Sequence, residues 1–244
     1  MASPWIIVKD GSPGGCQARF RGNSRCEDSG LITHILFDFD GTLVESMDLS
    51  LNLLNGLSEK YHYRRVAPED VHRLKGMPLP ERFKQVGLPT HKIPAISLEF
   101  LSLYRKALAS LKPVDGARAL IEALKAEGLG LSVLSSNSVE NIASFFRQNG
   151  MDLFDHIFSS NNLFGKDRSI RRFLKQFGVE KGELLYIGDE LRDIEACKTA
   201  GVRIIAVTWG FDPAPLIRSG APDYIASTPE EVLETVRSLR SETR

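Results

Sequence analysis

Short apolar runs alternate with amphipathic stretches along most of the chain. From Thr33 onward, most of the apolar runs are followed by a stretch with helical spacing, which is typical of a parallel sheet covered by helices on both faces. The strands are predicted at 33–39, 129–135, 156–159, 184–189, 203–208 and 224–226, and helices at 139–149, 167–177, 191–200 and 229–239. We therefore predict an α/β fold with a doubly wound parallel sheet.

A long helical insertion separates the first two predicted strands. Helical patterns cover 48–61, 68–75, 79–86 and 93–111, and no strand pattern lies between them. This segment is too long to be a single crossover helix. We predict a small helical domain at 47–112, inserted into an α/β core that comprises 32–46 and 113–244. An enlarged crossover of no functional consequence is the alternative.

The first 31 residues differ in composition from the rest of the chain. Gly, Ser and Arg dominate them, and the run Trp-Ile-Ile-Val at 5–8 is their one apolar cluster. Because such a segment cannot build a core, we predict a disordered extension at 1–31. It lacks the features of a secretory signal. Its Arg and Ser content leaves organelle targeting open, although Asp10, Glu27 and Asp28 weigh against a transit peptide.

The overall composition excludes several classes of protein. The chain has 244 residues, of which 42% are hydrophobic and 25% are charged, and its formal net charge is zero. This balance favours a globular protein with a full core, and gives no reason to expect binding to nucleic acid or to an anionic membrane. No apolar run approaches the roughly 20 residues that span a bilayer. The cysteines Cys16, Cys26 and Cys197 are too few for a disulfide framework, so we expect a reducing, cytoplasmic location.

Two acidic residues end the first predicted strand. Asp38 and Asp40 are two positions apart in the run Asp-Phe-Asp-Gly-Thr, so on a strand their side chains point to the same face. Packing two like charges together costs free energy unless a cation or a reaction employs them. Gly41 allows a sharp turn at the carboxyl end of the strand, where open α/β sheets bind ligands. The pair therefore indicates a chemical site.

Further polar residues follow later core strands in a fixed order. Ser135 and Ser136 close the second strand, Lys166 begins a helix, and Asp189 opens an acidic turn after another strand. With the run 38–46, these elements resemble the four motifs of the haloacid-dehalogenase-like superfamily of phosphohydrolases, in the order in which the superfamily has them. The resemblance extends from residue 33 to the end of the chain and implies a Rossmann-like core.

The resemblance implies hydrolysis of a phosphate ester with Asp38 as the nucleophile. Asp38 would attack phosphorus to give a phosphoaspartate, and Asp40 would protonate the leaving oxygen and then activate water. Ser135 is the expected hydroxyl ligand of the phosphoryl oxygens, with Ser136 as the alternative. Lys166 would bind the same group and offset its negative charge.

Mg²⁺ is the cofactor that the resemblance implies. Asp38, the backbone carbonyl of Asp40, and Asp189 would supply oxygen ligands, and Asp193 would act through a water molecule. Glu190 is an alternative for the role of Asp193. Zinc is not expected, because the chain has no His/Cys cluster with the spacing of a zinc site.

Within this superfamily a helical insertion after the first motif is a cap that closes over the active site. We favour a mobile lid at 47–112, because phosphoryl chemistry benefits from the exclusion of bulk water. The loop 76–82 is expected to select the substrate, with Gly76, Glu81 and Arg82 as the candidate residues. An ordinary turn between helices is the alternative for this loop.

The run 188–196 is most similar to the phosphoglycolate-phosphatase-like branch, which implies a small phosphorylated metabolite as substrate. Lys75 makes a phosphonatase possible, and a phosphomutase of the same superfamily is a further alternative, although 48–52 lacks the His that such enzymes usually carry. A dehalogenase would need neither Asp40 nor Asp189. An inactive relative that only binds ligands is disfavoured by the intact acids. The sequence predicts neither the exact substrate nor the oligomeric state.

Overall fold

The computed structural model describes residues 5–7, 30–160 and 165–242. Its centre is a sheet of seven strands in the order β1-β4-β3-β2-β5-β6-β7. All neighbouring strands are parallel except β1, which runs antiparallel to β4. The strands are β1 (Trp5–Ile7), β2 (His34–Phe37), β3 (Gly130–Ser135), β4 (His156–Ser159), β5 (Leu184–Gly188), β6 (Arg203–Val207) and β7 (Tyr224–Ala226).

Helices cover both faces of the sheet. They are α1 (Met47–Tyr61), α2 (Pro68–Lys75), α3 (Leu79–Gln85), α4 (Ile93–Ala107), α5 (Ala117–Ala126), α6 (Val139–Asn149), α7 (Lys166–Phe177), α8 (Leu191–Ala200), α9 (Ala214–Ser219) and α10 (Pro229–Glu242). Ile35 and Phe37 of β2 pack into one large apolar cluster, while Leu36 between them packs into the other. Because both faces are covered, the central strands are continuous apolar runs. The predicted doubly wound α/β fold is confirmed.

Most predicted elements are present within a residue or two of their predicted ends. Helices α5 and α9 were not predicted, although α5 buries Ala117, Leu120, Ile121 and Leu124 at helical spacing. The first predicted strand was too long, because β2 ends at Phe37 and the chain then turns. Gly41 has φ +79° in this turn, and the Leu43 amide donates to the Phe39 carbonyl at 2.9 Å.

The amino-terminal segment includes a short strand that the composition did not predict. Trp5–Ile7 pairs with β4, with Ile6 opposite Ile157. For these three residues the prediction of disorder is wrong, because an apolar triplet can extend the open edge of the sheet by backbone hydrogen bonds. The rest of the predicted extension up to residue 29 lies outside the described residues.

The insertion consists of α1 to α4 with an apolar cluster of its own. Buried members of this cluster are Leu57, Leu74, Val86, Leu88 and Ile96. The helix predicted at 93–111 ends at Ala107 and continues as a 3-10 turn, Leu108–Ser110. The two connections to the core lie side by side: the Glu45 amide donates to the Lys112 carbonyl at 3.0 Å, and Val44 forms a β-bridge with Pro113. We call this insertion the cap; its exact boundaries at 47 and 112 stay a prediction.

None of the helices among the described residues combines the length and apolar character needed to cross a membrane.

Candidate active site

The predicted site residues of the core gather where β2, β3 and β5 end. Asp38 follows β2, Ser135 is the last residue of β3, and Asp189 follows β5 directly. Strand β2 lies between the other two, and all three are parallel, so their carboxyl ends meet at one edge of the sheet. Lys166 approaches the same edge as the first residue of α7.

Asp38 is a buried carboxylate that accepts hydrogen bonds from a lysine side chain and a backbone amide. Its side chain is 4% exposed, and its Oδ2 accepts a hydrogen bond from Lys166 Nζ at 2.6 Å. Its Oδ1 accepts one from the Phe39 amide at 2.8 Å. Lys166 Nζ also contacts Asp193 Oδ1 at 2.5 Å and lies 5.6 Å from the centre of the Tyr186 ring. Lys166 thus joins Asp38, 128 residues before it, to Asp193, 27 residues after it.

Electrostatics at this edge favour a bound cation. Burial raises the pKa of Asp38 and Asp193, and the charge of Lys166 opposes that rise. Burial also raises the pKa of Asp189, and the neighbouring acids, Glu190 first, add to it. For Lys166, burial alone lowers the pKa, but Asp193 and Asp38 together outweigh it and raise the pKa above its usual value. Four acids therefore meet two cations at this edge, Lys166 and the guanidinium of Arg192, which forms an ion pair with Glu190.

Three carboxylates could hold a metal ion together. Oxygen atoms of Asp38, Glu190 and Asp193 lie within 4.8 Å of one another, and all three residues are buried. Hard oxygen donors at this spacing suit a small divalent cation such as Mg²⁺. Glu190 is the N-cap of α8 and forms a capping box with Asp193, whose Oδ2 accepts from the Glu190 amide at 3.2 Å. Helix capping thus fixes two of the three acids.

Asp189 has different partners from those predicted. Its Oδ1 accepts from Thr42 Oγ1 and its Oδ2 from the Phe211 amide, both at 2.7 Å. The carboxylate is packed against Gly41 and Gly210 so closely that a Cβ at either position would overlap it. Among the described residues, the structure groups Asp38 with Asp193 and Glu190, and leaves Asp189 out of that group.

Asp40 does not share a side-chain partner with Asp38. Its Oδ1 accepts a hydrogen bond from the Tyr104 hydroxyl at 2.7 Å, and its Oδ2 accepts one from Asn137 Nδ2 at 3.1 Å. Burial raises the pKa of Asp40, and the hydrogen bond from Tyr104 is the first of the contacts that oppose this rise. The two acids therefore have separate environments, as an acid–base group beside a nucleophile requires.

Neither Tyr104 nor Asn137 was predicted as a hydrogen-bond partner of Asp40. Asn137 lies two positions after Ser135, so the sequence already placed it just beyond the end of the second predicted strand. No sequence pattern indicated that Tyr104 would contact Asp40, because Tyr104 lies on α4 of the cap, 64 residues from Asp40.

Ser135 closes β3 as predicted. Its hydroxyl oxygen accepts from the Asn137 amide at 3.0 Å, which leaves the hydroxyl proton for another acceptor. Ser135 is 1% exposed, and Ser136 is half-buried. The choice between them as the phosphate ligand stays a prediction.

The predicted specificity loop joins the cap to the core. Arg82 forms an ion pair with Asp212, which follows β6, and also donates from Nε to the Met77 carbonyl at 2.7 Å. Asp212 Oδ2 in turn accepts from the Leu191 amide at the start of α8, at 2.7 Å. Gly76 and Glu81 are exposed. The structure thus links Arg82 to the start of α8 through Asp212, and the role of the loop in selecting the substrate stays a prediction.

Lys75 lies at the end of α2 with its Nζ 3.2 Å from Met47 Sδ. Met47 is the first residue of α1, immediately after the connection from the core. Lys75 therefore places its ammonium group beside the connection between core and cap. Its backbone carbonyl accepts a hydrogen bond from Arg82 Nη2 at 3.0 Å.

Comparison with known proteins decides the family. The family model described as haloacid dehalogenase-like hydrolase matches residues 35–207, a range that includes Asp38, Lys166 and Asp193. The chain belongs to the haloacid dehalogenase-like hydrolase family. Its fold resembles a crystal structure of a predicted phosphatase from Clostridium acetobutylicum, with a TM-score of 0.73 at 22% identity over 86% of this chain and 100% of that one.

Curated relatives indicate which branch of this hydrolase family the chain resembles. A phosphoglycolate phosphatase of Synechococcus elongatus is 29% identical over 206 residues, which cover 84% of this chain and 97% of the relative. A pyrophosphatase PpaX of Halalkalibacterium halodurans is 24% identical over 84% of this chain and 97% of its own length. The predicted membership of the superfamily and the likeness to its phosphoglycolate-phosphatase-like branch are confirmed. The chain is a hydrolase, and its relatives place it among the phosphatases of the family.

Proposed function

We propose that this hydrolase cleaves small phosphate monoesters in a Mg²⁺-dependent reaction through a phosphoaspartate on Asp38. The observation that carries the proposal is the contact of Lys166 with both Asp38 and Asp193, beside a separately held Asp40. This arrangement has a nucleophile, a neutralising cation and a distinct acid–base group at one sheet edge, where α/β folds bind ligands. The family match and the phosphatase relatives support it.

Asp38 is suited to attack phosphorus. A carboxylate forms an acyl-phosphate when positive charge offsets the repulsion between two anions. Lys166 supplies such charge at 2.6 Å from Asp38 Oδ2. The hydroxyl proton of Ser135 is available to bind a non-bridging oxygen.

Asp40 is suited to move the proton in both half-reactions. As the bond from Asp38 to phosphorus forms, the protonated Asp40 gives its proton to the ester oxygen, which leaves as an alcohol. The resulting Asp40 carboxylate then takes a proton from the water that attacks phosphorus. Inorganic phosphate leaves, and the Asp38 carboxylate is restored.

The acidic group formed by Asp38, Glu190 and Asp193 fits the metal that this family implies. These residues would hold Mg²⁺, with Asp189 and the Asp40 carbonyl as the further ligands proposed from the sequence. The cation would neutralise charge on the phosphoryl group and help to orient it. The spacing of the three carboxylates supports a divalent cation of this kind.

The proposed substrate is a small metabolite of the phosphoglycolate type. Phosphoglycolate and pyrophosphate, the compounds in the names of the two relatives, both carry a second anionic group on the side that leaves. Lys75 is a candidate to meet that group, because it is a half-buried cation of the cap beside Met47. A cytoplasmic location and the absence of nucleic-acid or membrane partners remain predictions from composition.

Replacement of Asp38 tests the proposal. Asp38→Asn is nearly isosteric and should abolish turnover of p-nitrophenyl phosphate and 2-phosphoglycolate in Mg²⁺, while circular dichroism shows an intact fold. Intact-mass measurement on rapidly acid-quenched wild type should show a phosphorylated species that the variant lacks. Asp115→Asn, which changes an exposed acid, is the matched control and should behave as wild type. Wild-type turnover by Asp38→Asn, or activity that is unchanged in EDTA, would refute the mechanism.

A further inference from the structure

The cap contacts the acid–base carboxylate directly. Tyr104 lies near the end of α4 and is fully buried, and its hydroxyl donates to Asp40 Oδ1 at 2.7 Å. Its ring belongs to the apolar cluster of the core, and its centre lies 5.9 Å from that of the Phe100 ring. A phenylalanine would fill that space equally well, so packing alone does not require the hydroxyl group.

The other oxygen of Asp40 is connected to the same cap helix. Asn137 Nδ2 donates to Asp40 Oδ2 at 3.1 Å, and Asn141 Nδ2 donates to Asn137 Oδ1 at 3.0 Å. Asn141 Nδ2 also lies 3.3 Å from the carbonyl oxygen of Leu101, which is on α4. Both carboxylate oxygens of Asp40 are therefore tied to α4, one through Tyr104 and one through two asparagines.

We propose that Tyr104 is a positioning residue through which cap helix α4 sets the orientation of Asp40. The inference rests on the proposed function, in which Asp40 gives a proton to the leaving oxygen. Two hydrogen bonds to different oxygens fix the plane of a carboxyl group. A proton donor must lie within hydrogen-bond reach of its target, so the group that holds it in place contributes to the rate.

This arrangement also makes the chemistry depend on the position of the cap. Tyr104 lies eight residues before Lys112, whose carbonyl pairs with Glu45 at the connection between the two parts. A displacement of α4 would change the hydrogen bond from Tyr104 and the path through Leu101 together. The acid–base group is then held for reaction only while α4 occupies the position seen here.

The test removes only the Tyr104 hydroxyl. Tyr104→Phe is compared with Tyr61→Phe, a matched control on α1 whose hydroxyl donates to Glu99, another cap residue, at 2.8 Å. Each variant is assayed on 2-phosphoglycolate, which has a poor leaving group, and on p-nitrophenyl phosphate, whose good leaving group needs little protonation. Tyr104→Phe should lower kcat/KM, which reports the step in which the ester oxygen leaves, about tenfold to a hundredfold on 2-phosphoglycolate. This is the usual effect of losing a hydrogen bond to a charged group, here the carboxylate that forms as Asp40 gives up its proton, and the loss on the aryl ester should be much smaller. Tyr61→Phe should change neither rate.

A second background shows whether Tyr104 acts through Asp40. In Asp40→Asn, adding Tyr104→Phe should cause less than a twofold further loss, roughly the limit for sites that act as one unit. A crystal structure of Tyr104→Phe should show Asp40 rotated or in two conformers. Equal losses on both esters, a full additional loss in the Asp40→Asn background, or an unmoved Asp40 would overturn the proposal. If Asp40→Asn itself left turnover of 2-phosphoglycolate intact, the proposed function of Asp40 would fail, which is a separate result.

Discussion

Replacing Lys166 by methionine should reveal how strongly the acidic site depends on one cation. The Lys166 side chain is 5% exposed and lies 2.6 Å from Asp38 and 2.5 Å from Asp193. Methionine keeps most of the length and apolar contact but leaves two buried carboxylates without their ammonium partner. Breaking a buried pair in this way costs about 3–5 kcal/mol in the free energy of unfolding. For a domain of this size, that corresponds to a fall in Tm on the order of 10 °C.

The measurement is thermal and urea unfolding in EDTA and again in Mg²⁺. If the acids bind Mg²⁺, the ion should recover part of the loss, by about 2.7 kcal/mol at a concentration a hundred times its Kd. Turnover should fall about 10²–10³-fold in either case, as for the loss of one preorganised electrostatic contact.

Lys125→Met is the matched control for this experiment. Lys125 pairs with Asp155 at 2.5 Å, but the two side chains are 34% and 41% exposed, so solvent screens the pair. Its loss should cost less than about 1 kcal/mol and should not respond to Mg²⁺. Equal destabilisation by the two substitutions would refute the reasoning, because burial would then have no effect on the value of the ion pair.

Two other predictions concern the metal ligands and the cap. If Asp38, Glu190 and Asp193 bind the ion together, isothermal titration calorimetry with Mg²⁺ should show a larger loss of affinity for Glu190→Gln than for Asp189→Asn. The reverse order would restore Asp189 as the main ligand. Arg82→Gln should raise KM for 2-phosphoglycolate and increase tryptic cleavage in the cap, because it removes the ion pair with Asp212. The control is Arg64→Gln, which loses an exposed ion pair within the cap. An unchanged KM and cleavage rate would show that Arg82 does not hold the cap.

The sequence predicted the sheet and the site edge because both depend on local pattern. Apolar runs such as Leu184–Gly188 are buried on both faces, so their composition alone identifies them as central strands. Polar residues that follow such runs lie at one edge of a parallel sheet, which is why the sequence placed Asp38 and Ser135 there. Edge strand Trp5–Ile7 was missed, because a three-residue strand depends on an open neighbour and not on its own pattern.

Sequence patterns did not predict the direction in which each site side chain points. Asp189 and Glu190 are adjacent acids, and spacing does not show which of them faces Asp38. That choice depends on Thr42, Phe211 and two glycines that pack around Asp189 in the fold.

Contacts that cross between cap and core were missed for a related reason. Arg82 was predicted from its loop to select the substrate, but its partner Asp212 is 130 residues away. No periodicity relates positions so far apart, so only the folded chain shows that Arg82 meets a core carboxylate.

The paired connections at Val44 and Pro113 make the cap replaceable. Because these residues form a β-bridge, the chain leaves and re-enters the core at neighbouring points, and the core needs no particular span between them. Loop-closure entropy rises only slowly with length, by about 0.6 kcal/mol for each doubling, so inserts of very different size cost the core little. A hydrolase built this way can acquire a new selectivity by exchanging one contiguous stretch of its gene, while the strands that carry the reacting carboxylates are inherited unchanged.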